Sequence, residues 1–95
     1  MKVVFTEPAL EDLRNIRDYT TAHYPRSLPD LGRRINDTLT RIGTWPEAAR
    51  ELDERPSVRM VPLRRYPFNI YYRIGSEAVE VLHIYHDARQ LWDSE

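Results

Sequence analysis

Ninety-five residues carrying a formal net charge of −1 suit one modest domain, and the charge alone speaks neither for nor against a polyanionic partner. With no cysteine, a disulfide framework and a thiolate metal site are excluded. No apolar run approaches the roughly 20 residues needed to span a bilayer, and MKVVFTEPAL breaks into Thr6-Glu7-Pro8 before a signal-peptide core develops. The expectation is a cytoplasmic protein with a single domain over residues 1–95.

Lys2 to Phe5 is a short apolar run that reads as a first strand. Thr6 then suits a helix N-cap, with Glu7 in the positive first turn and Pro8 where a missing N–H is harmless. Leu10, Leu13, Ile16 and Thr20 fall on one face, with Tyr24 returning to it, while Glu11, Arg14, Asn15 and Asp18 take the other. The helix should stop at His23 or Tyr24, because a residue before Pro25 avoids the α region. Pro25 to Pro29 is a short join. A second helix follows, with Asp30 at its start and an apolar stripe of Leu31, Ile35, Leu39, Ile42 and Trp45. Gly43 and Pro46 are placed to end it.

Residues 47–57 read as an irregular charged connection. Val58 to Leu63 alternates weakly, and Pro62 marks it as an edge strand or a bulge. The strongest strand signal is Tyr66 to Arg89. Ile70, Tyr72 and Ile74 point one way and Asn69, Tyr71 and Arg73 the other. Gly75-Ser76-Glu77 supplies a turn, with Gly75 expected at positive φ. In the return strand Val79 and Val81 load one face and Leu82 and Ile84 the other, which places that strand centrally. Leu91 and Trp92 form an apolar spot in the tail. The fold expected is α+β, in the order β-α-α-β-β-β, with a helical hairpin packed on an antiparallel sheet.

Charge is uneven along the chain. Residues 1–54 hold eight Lys/Arg against ten Asp/Glu, whereas residues 55–92 hold six Arg against three acids, and Lys2 is the only lysine. Arg59, Arg64, Arg65 and Arg73 lie on neighbouring strands, where a shared face would suit phosphate, a nucleic-acid backbone or an acidic protein. Equally, arginines at such positions simply solvate the outside of a sheet. His86 with Arg89 suits proton transfer beside a developing anion, or else His86 and Asp87 merely terminate the strand. His83 and His86, three apart in a strand, face opposite ways and lack a third ligand, so no metal is expected.

Element order, the MKVVFTEPALEDL opening, the Trp45-Pro46 exit and RRYPFNIYYRI…VEVLHIYHDAR together resemble toxins of the RelE/ParE superfamily from bacterial type II toxin–antitoxin modules. The likeness covers almost the whole chain. Its Tyr66-Pro67 step, Ile70-Tyr71-Tyr72-Arg73 strand and His86-to-Arg89 exit look most like the ParE branch. That resemblance implies a toxin that inhibits DNA gyrase by binding, needs no cofactor, and pairs with a cognate ParD-like antitoxin in a hetero-oligomer. The alternative it implies is a RelE-like, ribosome-dependent endonuclease in which an mRNA 2′-hydroxyl attacks the adjacent phosphate. Members that rely on lysines for this are set aside by the lysine-free basic face. For the Glu-Arg-His kind, Glu51 (or Glu54), Arg65 and His86 would be the catalytic set. Target contact is assigned to Arg59, Arg64, Arg65, Arg73, His86 and Arg89. The antitoxin surface is assigned to Leu13, Ile16, Tyr24 and Tyr71, with Arg73 beside them.

Overall fold

The longest strand, β4 (Ala78–His86), is the axis on which everything else is hung. A computed structural model describes residues 1–87, so Arg89, Leu91 and Trp92 lie outside the described residues. Along the chain the elements are β1 (Lys2–Phe5), α1 (Glu7–His23), a 3₁₀ turn (Pro25–Ser27), α2 (Leu28–Thr44), β2 (Arg59–Leu63), β3 (Phe68–Ile74) and β4. The sheet order is β1-β4-β3-β2. Strands β2, β3 and β4 form the expected antiparallel meander, and β1 adds alongside β4 in parallel.

Thr6 makes the junction between strand and helix. Its hydroxyl accepts the Ala9 N–H at 3.3 Å, capping α1, and donates toward the carbonyls of Val81 (2.9 Å) and Leu82 (3.2 Å). Its own N–H continues the ladder to the Val81 carbonyl. One residue thus ends β1, starts α1 and fastens both to β4. α1 stops at His23, as the proline rule requires.

Both helices turn their apolar stripes onto one face of the sheet. Ala9 and Ile16 of α1 and Leu31, Ile35 and Ile42 of α2 meet Leu63, Ile70, Tyr72, Val79, Val81 and Ile84. Tyr24 does not join them; it is 60% exposed, because α1 ends before that turn reaches the sheet. Trp45 is likewise outside the stripe, at the C-cap of α2 and 65% exposed. α2 runs through Gly43 to Thr44, so Gly43 is not its stop. Gly43 instead permits close approach to β1: a Cβ there would lie 2.9 Å from the Met1 carbonyl oxygen.

Two local expectations for the hairpin are corrected. Tyr71 pairs with His83 but Tyr72 pairs with Val81, so Leu82 is an extra residue in β4. This β-bulge reverses the alternation beyond it and returns Ile84 to the face of Val79 and Val81. Gly75 has no positive φ. Its role is steric, since a Cβ would meet the Ala78 carbonyl oxygen at 2.9 Å. The left-handed residue is Arg65, at φ 79°. Pro62 fits as anticipated, exposed on edge strand β2.

Candidate target-binding and partner-binding surfaces

At the junction of β2 and β3 the chain turns tightly, with the Tyr66 N–H donating to the Leu63 carbonyl. Arg65 takes the third position of that turn, where positive φ usually selects glycine or asparagine. His86 ends β4 opposite Phe68, which itself faces Leu63 across β3 and β2. Arg64, Arg65 and His86 therefore share one end of the sheet. The His86 ring meets Phe68 edge to face at 5.5 Å. Asp87 is drawn into structure: its N–H donates to the Pro67 carbonyl (2.7 Å) and its carboxylate accepts from Asn69 Nδ2 (2.8 Å).

Between this end and the C-terminus of α1 lies a groove of about 390 Å³, walled by Tyr19, Tyr24, Leu31, Pro67, Phe68 and His86. The Tyr19 and His23 rings stack at 4.2 Å on its rim. Tyr66 is held beside it by donating its hydroxyl to Asp30 Oδ2 at 2.7 Å. Asp30 also pairs with Arg33 and Arg34. The Tyr66 hydrogen bond, followed by these cations, holds the Asp30 carboxyl below its ordinary value. A depressed carboxylate stabilises the fold above its unfolded pKa and loses that contribution as pH falls through its folded one. Tyr66→Phe removes the largest cause, so its stability should fall less steeply below about pH 4 than that of the unaltered chain. Urea unfolding between about pH 3 and 7 measures this difference.

The other arginines do not converge with Arg65. Arg59 turns toward the helix side, its side chain 17% exposed. Its guanidinium donates to the carbonyls of Glu47 and Ala49 and pairs with Glu51 at 3.1 Å. It anchors the 47–51 segment. Arg73 lies on the opposite face and pairs with Glu80 of β4 at 2.7 Å. Parity along β2 and β3 separates them, because Arg59 faces Tyr72 while Arg73 follows Tyr71 to the outside.

Nor does the Glu51, Arg65 and His86 set assemble. Glu51 bridges to Arg59, which pairs with Tyr72, whereas His86 pairs with Phe68. The four-residue offset along β3 puts Glu51 roughly 13 Å away along the strands. Of the antitoxin assignment, Ile16 is buried, Leu13 packs against the core, and Tyr71 is 1% exposed. Tyr24 is the exposed member, and Leu13 is half-buried.

Sequence reasoning passed over Asp12. Its Oδ2 accepts from His83 Nδ1 at 2.9 Å and from the Ile84 N–H at 3.0 Å. A signal was present: an acid between Ala9 and Ile16, at helical spacing from both, on the face that should be apolar.

A family model described as "ParE toxin of type II toxin-antitoxin system, parDE" matches residues 3–91. Among curated proteins none matches. A solved structure of the chromosomal ParDE TA system from P. aeruginosa is 24% identical, covering 90% of this chain and 95% of that one, with TM-score 0.77. The isolated E. coli RelE toxin is 19% identical over 95% of this chain and 87% of its own, with TM-score 0.65. A YoeB/ParE toxin from Agrobacterium tumefaciens is 17% identical over 90% and 98%, with TM-score 0.63. At these identities the structures speak for the fold, and the family match over nearly the full length speaks for descent. This chain belongs to the ParE toxin family of type II toxin–antitoxin systems.

Proposed function

We propose that the chain acts in the cytoplasm as an inhibitor of DNA gyrase, binding its target through the sheet end that carries Arg64, Arg65 and His86, and that a ParD-like antitoxin neutralises it. The observation that supports binding over cleavage is the placement of Glu51. It is committed to Arg59 and stands roughly 13 Å along the strands from His86, so the Glu51, Arg65 and His86 set of a RelE-like cut does not come together. Within the described residues the surface offers exposed cations and an aromatic groove, which are means of holding a partner.

Arg65 adds to this reading. A non-glycine residue held at positive φ carries strain of about 1 kcal/mol, and such strain concentrates where function needs a side chain. Arg65→Gly should stabilise the fold by about 0.5 kcal/mol while weakening toxicity. Thermal melts together with growth curves test the two halves separately.

The decisive measurement is a supercoiling assay with purified, antitoxin-free protein. Inhibition is expected, and Arg65→Ala with His86→Ala should abolish it without impairing antitoxin binding. Normal supercoiling alongside ribosome-dependent mRNA cuts would transfer the chain to the nuclease class.

A further inference from the structure

Along α2, Asp30, Arg34, Asp37 and Arg41 recur at steps of four, three and four, forming a charged stripe beside the apolar one. Where that stripe meets Pro62 of β2 and Arg64 of the turn after it, the surface folds into a polar pocket of about 160 Å³, with Arg33 also in its wall. Four arginines face two aspartates there, a local excess of two positive charges on a chain whose net charge is −1.

The cations are only partly used. Arg33 donates to Asp30 Oδ1 at 3.1 Å. Arg34 approaches Asp30 Oδ2 through Nε at 3.5 Å, but that buried Nε makes no hydrogen bond. Its terminal nitrogens have no hydrogen-bond partner among the described residues, although the side chain is only 32% exposed. Arg41 and Arg64 make no ion pair or side-chain hydrogen bond among the described residues. Asp37, four residues before Arg41, is likewise unengaged. A guanidinium drawn partly out of water carries the cost of lost hydration until an acceptor meets its donors.

We propose that this pocket binds a phosphate-type oxyanion, a phosphomonoester or diphosphate group with about two negative charges at pH 7. The charge excess matches a dianion, whereas a carboxylate would leave one cation unanswered. The volume holds about five waters, which suits one phosphoryl or diphosphoryl group and not a length of chain. Pro62 has no N–H to hold an added strand, which also favours a compact ligand. Guanidinium forks meet two oxygens at once, and those of Arg34, Arg41 and Arg64 have donors to spare. This chemistry has two sources: the free ion, or a nucleotide whose base lies in the adjoining apolar cleft. That cleft, about 240 Å³, shares Thr38, Arg41 and Pro62 with the pocket and carries Trp45. Nothing in the proposal depends on gyrase or antitoxin.

The test is isothermal titration calorimetry of the antitoxin-free chain with sodium pyrophosphate, at an ionic strength held constant with chloride. Because Arg64 also belongs to the target-binding end, binding is read and not toxicity. One saturable site is expected, weakened about 10-fold or more by Arg41→Gln with Arg64→Gln. Asp37→Asn removes a like charge and should tighten it about 2-fold. All three side chains are exposed, so thermal melts without ligand should coincide with that of the unaltered chain. No saturable binding, equal affinity for acetate, or an unchanged affinity in the double arginine variant overturns the proposal. ADP forms a second arm. Tighter binding than pyrophosphate, lost in Trp45→Ala, supports the site with a nucleotide as source, and equal or weaker binding supports it with the free ion. A ten-nucleotide single-stranded DNA that displaces pyrophosphate at lower concentration than ADP does would make this face a nucleic-acid interface and overturn the proposal.

Discussion

Asp12→Ala is expected to lower stability by about 3 kcal/mol, because it strands a backbone donor inside the sheet edge. β1 pairs with β4 only as far as Val81. Beyond that point the outer edge of β4 would be bare, and the N-cap and first turns of α1 supply the missing partners from their side chains. Thr6 takes the Val81 and Leu82 carbonyls, and Asp12 takes the Ile84 N–H together with His83 Nδ1. An ionised carboxylate has only acceptors, so it can serve both donors at once. Alanine serves neither, at a place where the Asp12 side chain is 17% and the His83 side chain 24% exposed. In a domain of this size the loss corresponds to roughly 15 °C in Tm. Asp12→Asn should lose less, since its amide oxygen still accepts from Ile84. Glu11→Ala is the control: that carboxylate makes an exposed pair with Arg14, and its removal should change stability by less than about 1 kcal/mol. Calorimetric melting of the three variants decides the matter. An Asp12→Ala protein that melts with the Glu11 control would mean that the edge is satisfied in some other way.

Tyr72→Ala is expected to cost about 3–5 kcal/mol, and Tyr72→Phe only about 1. Tyr72 is fully buried at the centre of β3, within the main core cluster. Burial is the main reason its hydroxyl sits above the usual tyrosine range, so it remains a donor throughout ordinary conditions. It donates to the Pro46 carbonyl at 2.7 Å and so pins the exit from α2 to the sheet. Truncation to alanine removes a ring's worth of packing and opens a cavity. Phenylalanine keeps the packing and takes the hydroxyl away from the Pro46 carbonyl and from the Ala49 backbone. The ratio between the two losses separates packing from hydrogen bonding, and chemical denaturation measures both. Similar losses for both variants would show that the pin to Pro46, not the ring, dominates.

The interruption of β4 at Leu82 shows why some features escape a linear reading. Alternation predicts Ile84 opposite Val81, and every residue between them has acceptable strand chemistry. The extra residue becomes visible only when β3 lies alongside, with Tyr71 facing His83 and Tyr72 facing Val81. Arg59 is similar. On a strand diagram it is one more surface cation, but the 47–51 segment folds over it and offers two carbonyls and a carboxylate. Tyr24 and Trp45 miss their helices' apolar faces because each sits at a C-cap, where the backbone has left helical geometry.

From its residues alone this chain specified the element order, the Thr6 cap, the stop before Pro25, the edge position of Pro62 and the resemblance to ParE toxins. Those depend on chemistry within a few positions of each residue, or on a pattern spread along the whole chain. The three-dimensional packing alone decided that β1 joins β4 in parallel, that Asp12 completes a strand edge, and that Arg59 turns inward. It also parted Glu51 from Arg65 and His86. Each of these depends on what a distant segment brings alongside, and a side chain's partners across the sheet are not encoded in its neighbours along the chain.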